Sequence, residues 1–218
     1  MAFLIGGANS AADTGYDVDN SCRFNDGDSD SLNITPGSAG NRKTWTFSAW
    51  CKLSGVADSY IFAVGAEAGE RTYININAGT LVFQNRVGSS NNGNLITNAL
   101  YRDPSAWYHF VVGIDSTQST AANRIKMYVN GTQVTSFETE TYFDQNQDTF
   151  VNNTQEMGVG KIPYTAGQHY DGYMAEVVLI DGTQYAASDF GEFDSDSPTI
   201  WKPKDVSGLT FGTNGFYL

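Results

Sequence analysis

The sequence predicts an all-β protein, with one antiparallel sandwich of two sheets, on three observations. Apolar and polar residues alternate with a period of two along most of the chain, and helical periodicity is nearly absent. Many short segments of this kind are separated by turns rich in Gly, Asn, Asp and Ser. The chain has 218 residues, 40% of them hydrophobic and 13% aromatic, which is enough for one core without disulfide bonds.

The clearest predicted strand is TWTFSAWCKL (44–53), whose alternate residues form one apolar face while Trp50 lies on the other. The best hairpin joins 124–130 to 132–138, because Asn130-Gly131 favours the two positive φ angles of a type I′ turn. In chain order, the other predicted strands are 21–25, 31–35, 59–64, 71–77, 80–87, 107–115, 156–161 and 171–181.

Three segments fall outside the strand pattern. Residues 1–19 are small and polar after a short apolar start, and they are interpreted as an N-terminal arm. The run GSSNNGN (88–94) predicts a mobile loop. The sandwich is expected over 20–218, and it includes an irregular C-terminal wrap at about 189–218. Because the sequence ends on the apolar Leu218, we expect the native chain to continue.

The charge of the chain limits its partners. Twelve Lys and Arg stand against 24 Asp and Glu, for a net charge of −12, and binding to a phosphate backbone requires clustered basic residues. We therefore expect neither nucleic acid binding nor membrane insertion, since no apolar run approaches the length of a membrane span. Cys22 and Cys51 fall on predicted inward positions, which favours buried free thiols over the alternative of a disulfide bridge.

Four segments in this order resemble the laminin G-like branch of the concanavalin A-like lectin/glucanase superfamily. They are SCRFNDGDSDSLNIT (21–35), TFSAWCKL (46–53), WYHFVVGIDSTQ with RIKMYVNGTQV (107–134), and MGVGKIPYTAGQHYDGYMAEVVLIDG (157–182). The resemblance implies a jelly-roll sandwich that binds its ligands at rim loops or on one concave face. It implies no activity, because this fold carries lectins, glycosidases, adhesion modules and structural domains.

The segments DFGEFDSDSPTIWKPK (189–204) and GTNGFYL (212–218) resemble a group of bacteriophage virion proteins, many of them marine. This resemblance implies a protein that is made in the host cytoplasm and located in the virion. It also implies contacts with other virion proteins, and many copies on each particle or a homo-oligomer. Capsid decoration and a tail or fibre appendage are both open.

Catalytic motifs are weak. Glycoside hydrolases need a pair of carboxylates, and the nearest match is EFDSD (192–196), which lies in a Gly/Ser/Pro-rich segment without strand alternation. Glu138 and Glu140 end a predicted hairpin strand. His109 lies in an apolar strand and is interpreted as a structural histidine. We predict no catalytic residues and no enzyme activity, with a glycoside hydrolase as the remote alternative.

Two acidic runs have the alternation found in calcium loops. Asp26, Asp28 and Asp30 are interpreted as a turn, because the run lacks the Gly and the bidentate Glu of an EF-hand. The second run, which lacks the same two residues, is the candidate calcium site: Asp144, Asn146 and Asp148. No other cofactor is predicted.

A glycan site needs aromatic faces beside amides and carboxylates. Two loops that we expect to share one rim supply such residues: Tyr142, Gln145, Tyr164, Gln168, His169 and Tyr170. Aromatic residues of this kind serve protein contacts equally well. The sequence thus predicts a non-catalytic virion surface protein with a lectin-like sandwich and affinity for host-surface polysaccharide; the alternative is a dedicated carbohydrate-binding adhesin.

Overall fold

The strands were assigned in a computed structural model, which describes residues 16–56 and 58–218. In chain order, they are β1 (Cys22–Phe24), β2 (Leu32–Ile34), β3 (Thr44–Leu53), β4 (Ser59–Glu67), β5 (Glu70–Asn77), β6 (Thr80–Val87), β7 (Ser90–Thr97), β8 (Tyr108–Asp115), β9 (Ile125–Val129), β10 (Thr132–Gln133), β11 (Phe137–Thr141), β12 (Met157–Val159), β13 (Gly172–Asp181), β14 (Gly191–Phe193), β15 (Trp201–Pro203) and β16 (Phe216–Tyr217). Short 3-10 helices lie at Asp26–Asp28, Ala121–Asn123 and Ala187–Asp189.

The strands form two large antiparallel sheets, so the predicted all-β sandwich is confirmed. The first sheet has the order β1-β13-β3-β8-β9-β10, with β16 also paired to β13. The second has the order β11-β7-β6-β5-β4-β12-β2, and β14 and β15 form a separate ribbon. β13 pairs with β3, and β12 pairs with β2, although the strands of each pair are far apart in sequence. Such pairings are expected for a jelly roll rather than for a simple meander.

The core lies between the two sheets and follows the alternation of the sequence. Trp45, Phe47 and Cys51 of β3 are buried on its inner face, where Phe47 stacks on Phe62 of β4 at 4.6 Å. The predicted turn is present, because Asn130 and Gly131 have φ angles of 47° and 80°. Burial of this large aromatic cluster is the main source of stability, since burying each such side chain contributes about 1.5–3 kcal/mol.

Two local predictions were wrong. The expected loop at 88–94 is largely strand: β7 begins at Ser90 and pairs with β6 and β11. The expected strand at 132–138 is broken, because β10 pairs with β9 in the first sheet whereas β11 pairs with β7 in the second. Local composition does not report the pairing of β7 with β11, which are far apart in sequence. The other partner of β7 is local, because β6 and β7 form a tight hairpin through Gly88 and Ser89.

The C-terminal wrap covers the outer face of the first sheet. A second apolar cluster joins Val111, Tyr128, Val178 and Ile180 of the sheet to Phe190 and Val206 of the wrap. The wrap is therefore a packed layer that contains the β14–β15 ribbon, more ordered than its composition predicts.

The two thiols are free, and only one is buried. Cys51 is buried, whereas Cys22 is exposed, which corrects the prediction for Cys22. Both pair with Met174, from opposite sides of β13. They are thus two strand spacings apart, about 9–10 Å, too far for a disulfide bond.

Part of the predicted arm (1–19) lies outside the described residues, which begin at Tyr16. The hydroxyl of Tyr16 donates to Glu176 of β13, so the end of the arm lies against the first sheet. Within 16–56 and 58–218, no helix has the length and apolar character needed to cross a lipid bilayer.

Candidate functional site

A cavity of about 330 Å³ opens on the outer face of the first sheet, and we call it the tryptophan cavity. Alternation along β3 places Trp50 on this face, opposite the core, and Trp107 immediately precedes β8 beside it. The cavity is lined by Val18, Asp19, Asn20, Ser21, Trp50, Trp107, Ala175 and Pro203. Two indole rings therefore share one opening with a carboxylate, an amide and a hydroxyl.

The wall formed by Trp50 is fixed from behind. Its ring stacks on His109 with centroids 4.8 Å apart, and His109 stacks in turn on Trp201. The indole of Trp201 donates to Nδ1 of His109 at 2.9 Å, so the neutral ring carries its proton on Nε2, which lies 2.8 Å from the Ser48 hydroxyl. Burial lowers the pKa of His109 to about 3. The neutral imidazole of His109, which has a hydrogen-bond partner at each ring nitrogen, thus holds the Trp50 ring in place.

Trp50 is buried, with 8% of its surface exposed, and its indole N–H has no hydrogen-bond partner in the described part of the chain. A buried indole N–H normally finds an acceptor, and leaving it unpaired costs about 1–3 kcal/mol. Trp107 is 37% exposed, so its ring is available for stacking. The cavity therefore offers the exposed ring face of Trp107 to a ligand, whereas the Trp50 N–H itself is buried.

A second cavity of about 310 Å³ lies beside the first and includes the carboxylate of Glu176, so we call it the Glu176 cavity. The hydroxyls of Tyr16 and Tyr217 donate to this carboxylate at 3.0 and 2.9 Å, and they are 2.6 Å from each other. Burial is the main cause that raises the pKa of both tyrosines, so both stay neutral. Glu176 has φ of 51°, a strained conformation for a residue other than Gly, at a bulge in β13.

The two loops that were expected to form one rim lie at opposite ends of the sandwich. Asn146 donates its backbone N–H to Ser116, and Thr149 donates to Arg42, next to the start of β3. Tyr170 contacts Lys52, at the end of β3. A strand of ten residues is about 30 Å long, so the prediction of a shared rim is wrong.

Tyr170 is also not available to a ligand. Its side chain is fully buried, its ring packs edge-on against Phe24, and its hydroxyl donates to the carbonyl oxygens of Lys52 and Tyr173 at 3.0 and 3.2 Å. The aromatic residue predicted for the ligand is therefore a core residue, and its backbone N–H donates to Gly160, immediately after β12.

The other predicted glycan residues are scattered. Tyr142 donates to Glu140, and the exposed Gln145 donates to the backbone of Thr117. Tyr164 accepts a hydrogen bond from Arg71 on the outer face of the second sheet. The partly exposed Gln168 and His169 belong to the segment that pairs back on 161–162.

Neither acidic run forms a cluster of metal ligands. Across residues 16–56 and 58–218, no group of three or more His, Cys, Asp or Glu side chains could hold a metal ion. In the candidate calcium loop Asp148 pairs with Arg42 at 3.6 Å, and Asn146 takes the left-handed conformation of a turn. At the first run, Asn25 donates to Asp28 and Asp30, which confirms the predicted turn. Calcium at Asp144, Asn146 and Asp148 stays a prediction.

Sequence reasoning missed Trp50, Trp107 and Glu176. A signal was present for Trp50, since a Trp on the face of β3 that points away from the core requires another partner. No comparable signal marks Asp19 or Glu176, because segments distant in sequence bring them to the cavities.

A family model for the Concanavalin A-like lectin/glucanases superfamily matches residues 26–187, well over half of the chain. The chain belongs to this superfamily. The resemblance stated from the sequence is thereby confirmed at the level of the family. No curated protein sequence is significantly similar to the chain.

Solved structures share the superfamily fold at low sequence identity. Domains LG4-5 of the mouse laminin α1 chain superpose with a TM-score of 0.55 and 14% identity, over 89% of this chain and 47% of that one. Domain 4 of AbnA, a GH43 arabinanase from Geobacillus stearothermophilus in complex with arabinotriose, gives 0.53 and 13%, over 76% and 72%. The enzymatically active domain of tailspike protein 2 from bacteriophage CBA120 gives 0.50 and 12%, over 72% and 25%. These likenesses show the fold alone.

Much of the two cavities lies outside the segment that matches the superfamily. The family match covers 26–187, whereas the cavities are lined by 16–21, Pro203, Tyr217 and Leu218 as well as by strand residues. The terminal segments of this chain therefore add the cavities to a common sandwich.

Proposed function

We propose that this chain is a non-catalytic glycan-binding protein on the surface of a phage virion. The observation that carries the proposal is the tryptophan cavity, in which the exposed ring of Trp107 shares one opening with polar side chains. Sugar rings present apolar faces that stack on aromatic rings, and their hydroxyls accept and donate hydrogen bonds. Asp19 and Asn20 supply the matching polar groups. The arabinotriose bound by the AbnA domain supports this ligand class.

The arrangement of the acidic residues supports a binding role rather than hydrolysis. A general acid must hold a proton, so its pKa must be raised. Asp194 accepts hydrogen bonds from the backbone N–H groups of Asp196 and Ser197, which lower its pKa. Lys202 lies 3.5 Å from both Glu192 and Asp194, and its charge also lowers the pKa of Asp194. The segment that best matched a glycosidase therefore includes a carboxylate, that of Asp194, that is held in its charged form.

The virion location rests on the resemblance of 189–204 and 212–218 to phage virion proteins. The tailspike domain of bacteriophage CBA120 supports it only as a case of this fold in a phage protein. Many copies on one particle would raise avidity for a repetitive host polysaccharide without any new contact. In this proposal, the partners are other virion proteins and the host surface, and labelling of purified particles with a specific antibody tests the location.

Binding of the purified protein to host cells and to their extracted surface polysaccharide tests the function. Trp107→Ala removes the stacking ring, and we expect a loss of affinity of about tenfold or more, because truncation of a central Trp typically costs over 1 kcal/mol. Leu100→Ala is the matched control, since Leu100 is 48% exposed and lines neither cavity. Equal affinities of the two variants would reject this site.

The same titration in EDTA tests the predicted calcium site. A site that uses Asp144, Asn146 and Asp148 would make binding or thermal stability depend on calcium, and Asp144→Asn would remove that dependence. Because the tryptophan cavity is distant from this loop, glycan binding there is expected to persist in EDTA.

A further inference from the structure

The two cavities adjoin on the outer face of the first sheet. Asp19 and Asn20 line both, so we treat the tryptophan cavity and the Glu176 cavity as one groove. The groove has Trp107 near one end and Tyr217 near the other. Both halves are partly open to solvent.

The length of the groove follows from the strand order. Trp107 precedes β8, Trp50 belongs to β3, Glu176 to β13, and Tyr217 to β16, and these four strands are neighbours in that order. Three strand spacings amount to about 14 Å. The groove is therefore longer than a single sugar ring and can hold several consecutive rings side by side.

The charges of the groove are all of one sign. Asp17, Asp19 and Glu176 line it, and no Lys or Arg is among the described residues that line either cavity. The whole chain carries a net charge of −12. Carboxylates and phosphates on a glycan would be repelled, because like charges at an interface reduce both the rate and the strength of binding.

The polar groups are also arranged for a chain of hydroxyls rather than for one end group. At one half of the groove, the side chains of Asp19 and Asn20 can accept and donate hydrogen bonds beside the ring of Trp107. The Glu176 carboxylate accepts from two tyrosine hydroxyls at the other half and, with four lone-pair sites, can accept a further hydroxyl. Aromatic stacking at one end and hydroxyl recognition at the other would engage different sugar units of one polymer.

We infer that the groove binds an internal stretch of an uncharged, linear polysaccharide, and not the terminal sugar of a branched glycan. This inference rests on the proposed function and specifies its ligand class. The terminal residues 16–21, Tyr217 and Leu218 complete the groove together with Trp50, Trp107 and Glu176 of the sandwich, so the preference depends on segments outside the superfamily match.

Isothermal titration with two sets of probes tests the inference. The first set compares neutral linear glucans with polyuronates of similar length. The second uses neutral oligosaccharides of one to six units from the glucan that binds. We expect binding of the neutral polymer, about tenfold or more weaker binding of the polyuronate, and an affinity that rises with length to about three or four units before it becomes constant.

Variants at the two ends locate the units along the groove. Trp107→Ala and Glu176→Gln should each weaken the longer oligosaccharides while they change the binding of a single sugar much less, and Leu100→Ala should have no effect. Thermal unfolding of each variant separates loss of a contact from loss of the fold. If Glu176→Gln unfolds, Tyr217→Phe, which keeps the ring, replaces it.

The outcomes separate the two claims. Binding in which a single sugar competes as well as a hexamer, or in which the polyuronate binds more tightly, overturns the inference but leaves the proposed function standing. Absence of binding to any glycan, by a folded sample at millimolar sugar, overturns both.

Discussion

At the scale of single residues, His109 shows how one buried polar side chain organises the surface around it. Its two ring nitrogens are used by Trp201 and Ser48, and its ring supports Trp50. The sequence predicted a structural histidine, and the structure confirms this. It did not predict the two tryptophans around it, because Trp201 comes from a segment more than 90 residues away.

His109 also predicts how stability depends on pH. Burial lowers its pKa to about 3, against about 6.5 in an unfolded chain. Below pH 6.5 the unfolded chain binds a proton that the folded protein does not, so the free energy of unfolding should fall as the pH is lowered, by up to about 1.4 kcal/mol per pH unit. Urea unfolding between pH 5 and 6.5 measures this slope, above the range in which most carboxylates titrate.

His109→Gln should flatten that slope even if it lowers stability overall. Equal slopes in the parent protein and His109→Gln would contradict the assignment of a neutral, buried imidazole.

At the scale of strands, the strongest alternation was predicted well and the weakest was not. The prediction of β3 was correct at both ends, and the Asn130-Gly131 hairpin has the expected turn. In contrast, β7 contains Ser, Asn and Gly, which are typical of loops, and it exists because β6 and β11 pair with it on both sides. The candidate site was not predicted for the same reason, since neighbours distant in sequence create it.

Gly93 in β7 provides a test of this packing. A Cβ atom at Gly93 would lie 2.5 Å from the ring of Phe143, which is buried against Phe83. Gly93→Ala should therefore lower the free energy of unfolding by roughly 1–3 kcal/mol, the usual cost of overpacking. In Gly167→Ala, the added methyl meets nothing within 4 Å, so that variant should be neutral or slightly stabilising. Chemical denaturation compares the two, and a neutral Gly93→Ala would contradict the tight contact.

At the scale of the whole molecule, stability comes from the sandwich and its C-terminal layer, without a covalent link between the sheets. The two-sheet core was predicted correctly from the alternation of the sequence. The prediction of a rim that holds a ligand was wrong, because the two loops, which are similar in composition, lie at opposite ends of β3.

The positions of the two cysteines predict how many thiols react with a reagent in the native protein. Cys22 is exposed and Cys51 is buried, and burial raises the pKa of the Cys51 thiol. A thiol reagent should modify one cysteine in the native protein and both after denaturation, and a reductant should leave the melting temperature unchanged. Cys22→Ser should abolish the native reaction, and two reactive native thiols would contradict the buried position of Cys51.

The contact between Tyr16 and Tyr217 has a mechanical consequence. Their hydroxyls meet on Glu176, although the two residues are 201 positions apart. A pulling force applied to the chain at these two points would act first across a few side-chain hydrogen bonds. Because Tyr217 belongs to β16, the same force would also act on the backbone hydrogen bonds between β16 and β13. The two terminal segments are therefore coupled mechanically through one strand of the first sheet.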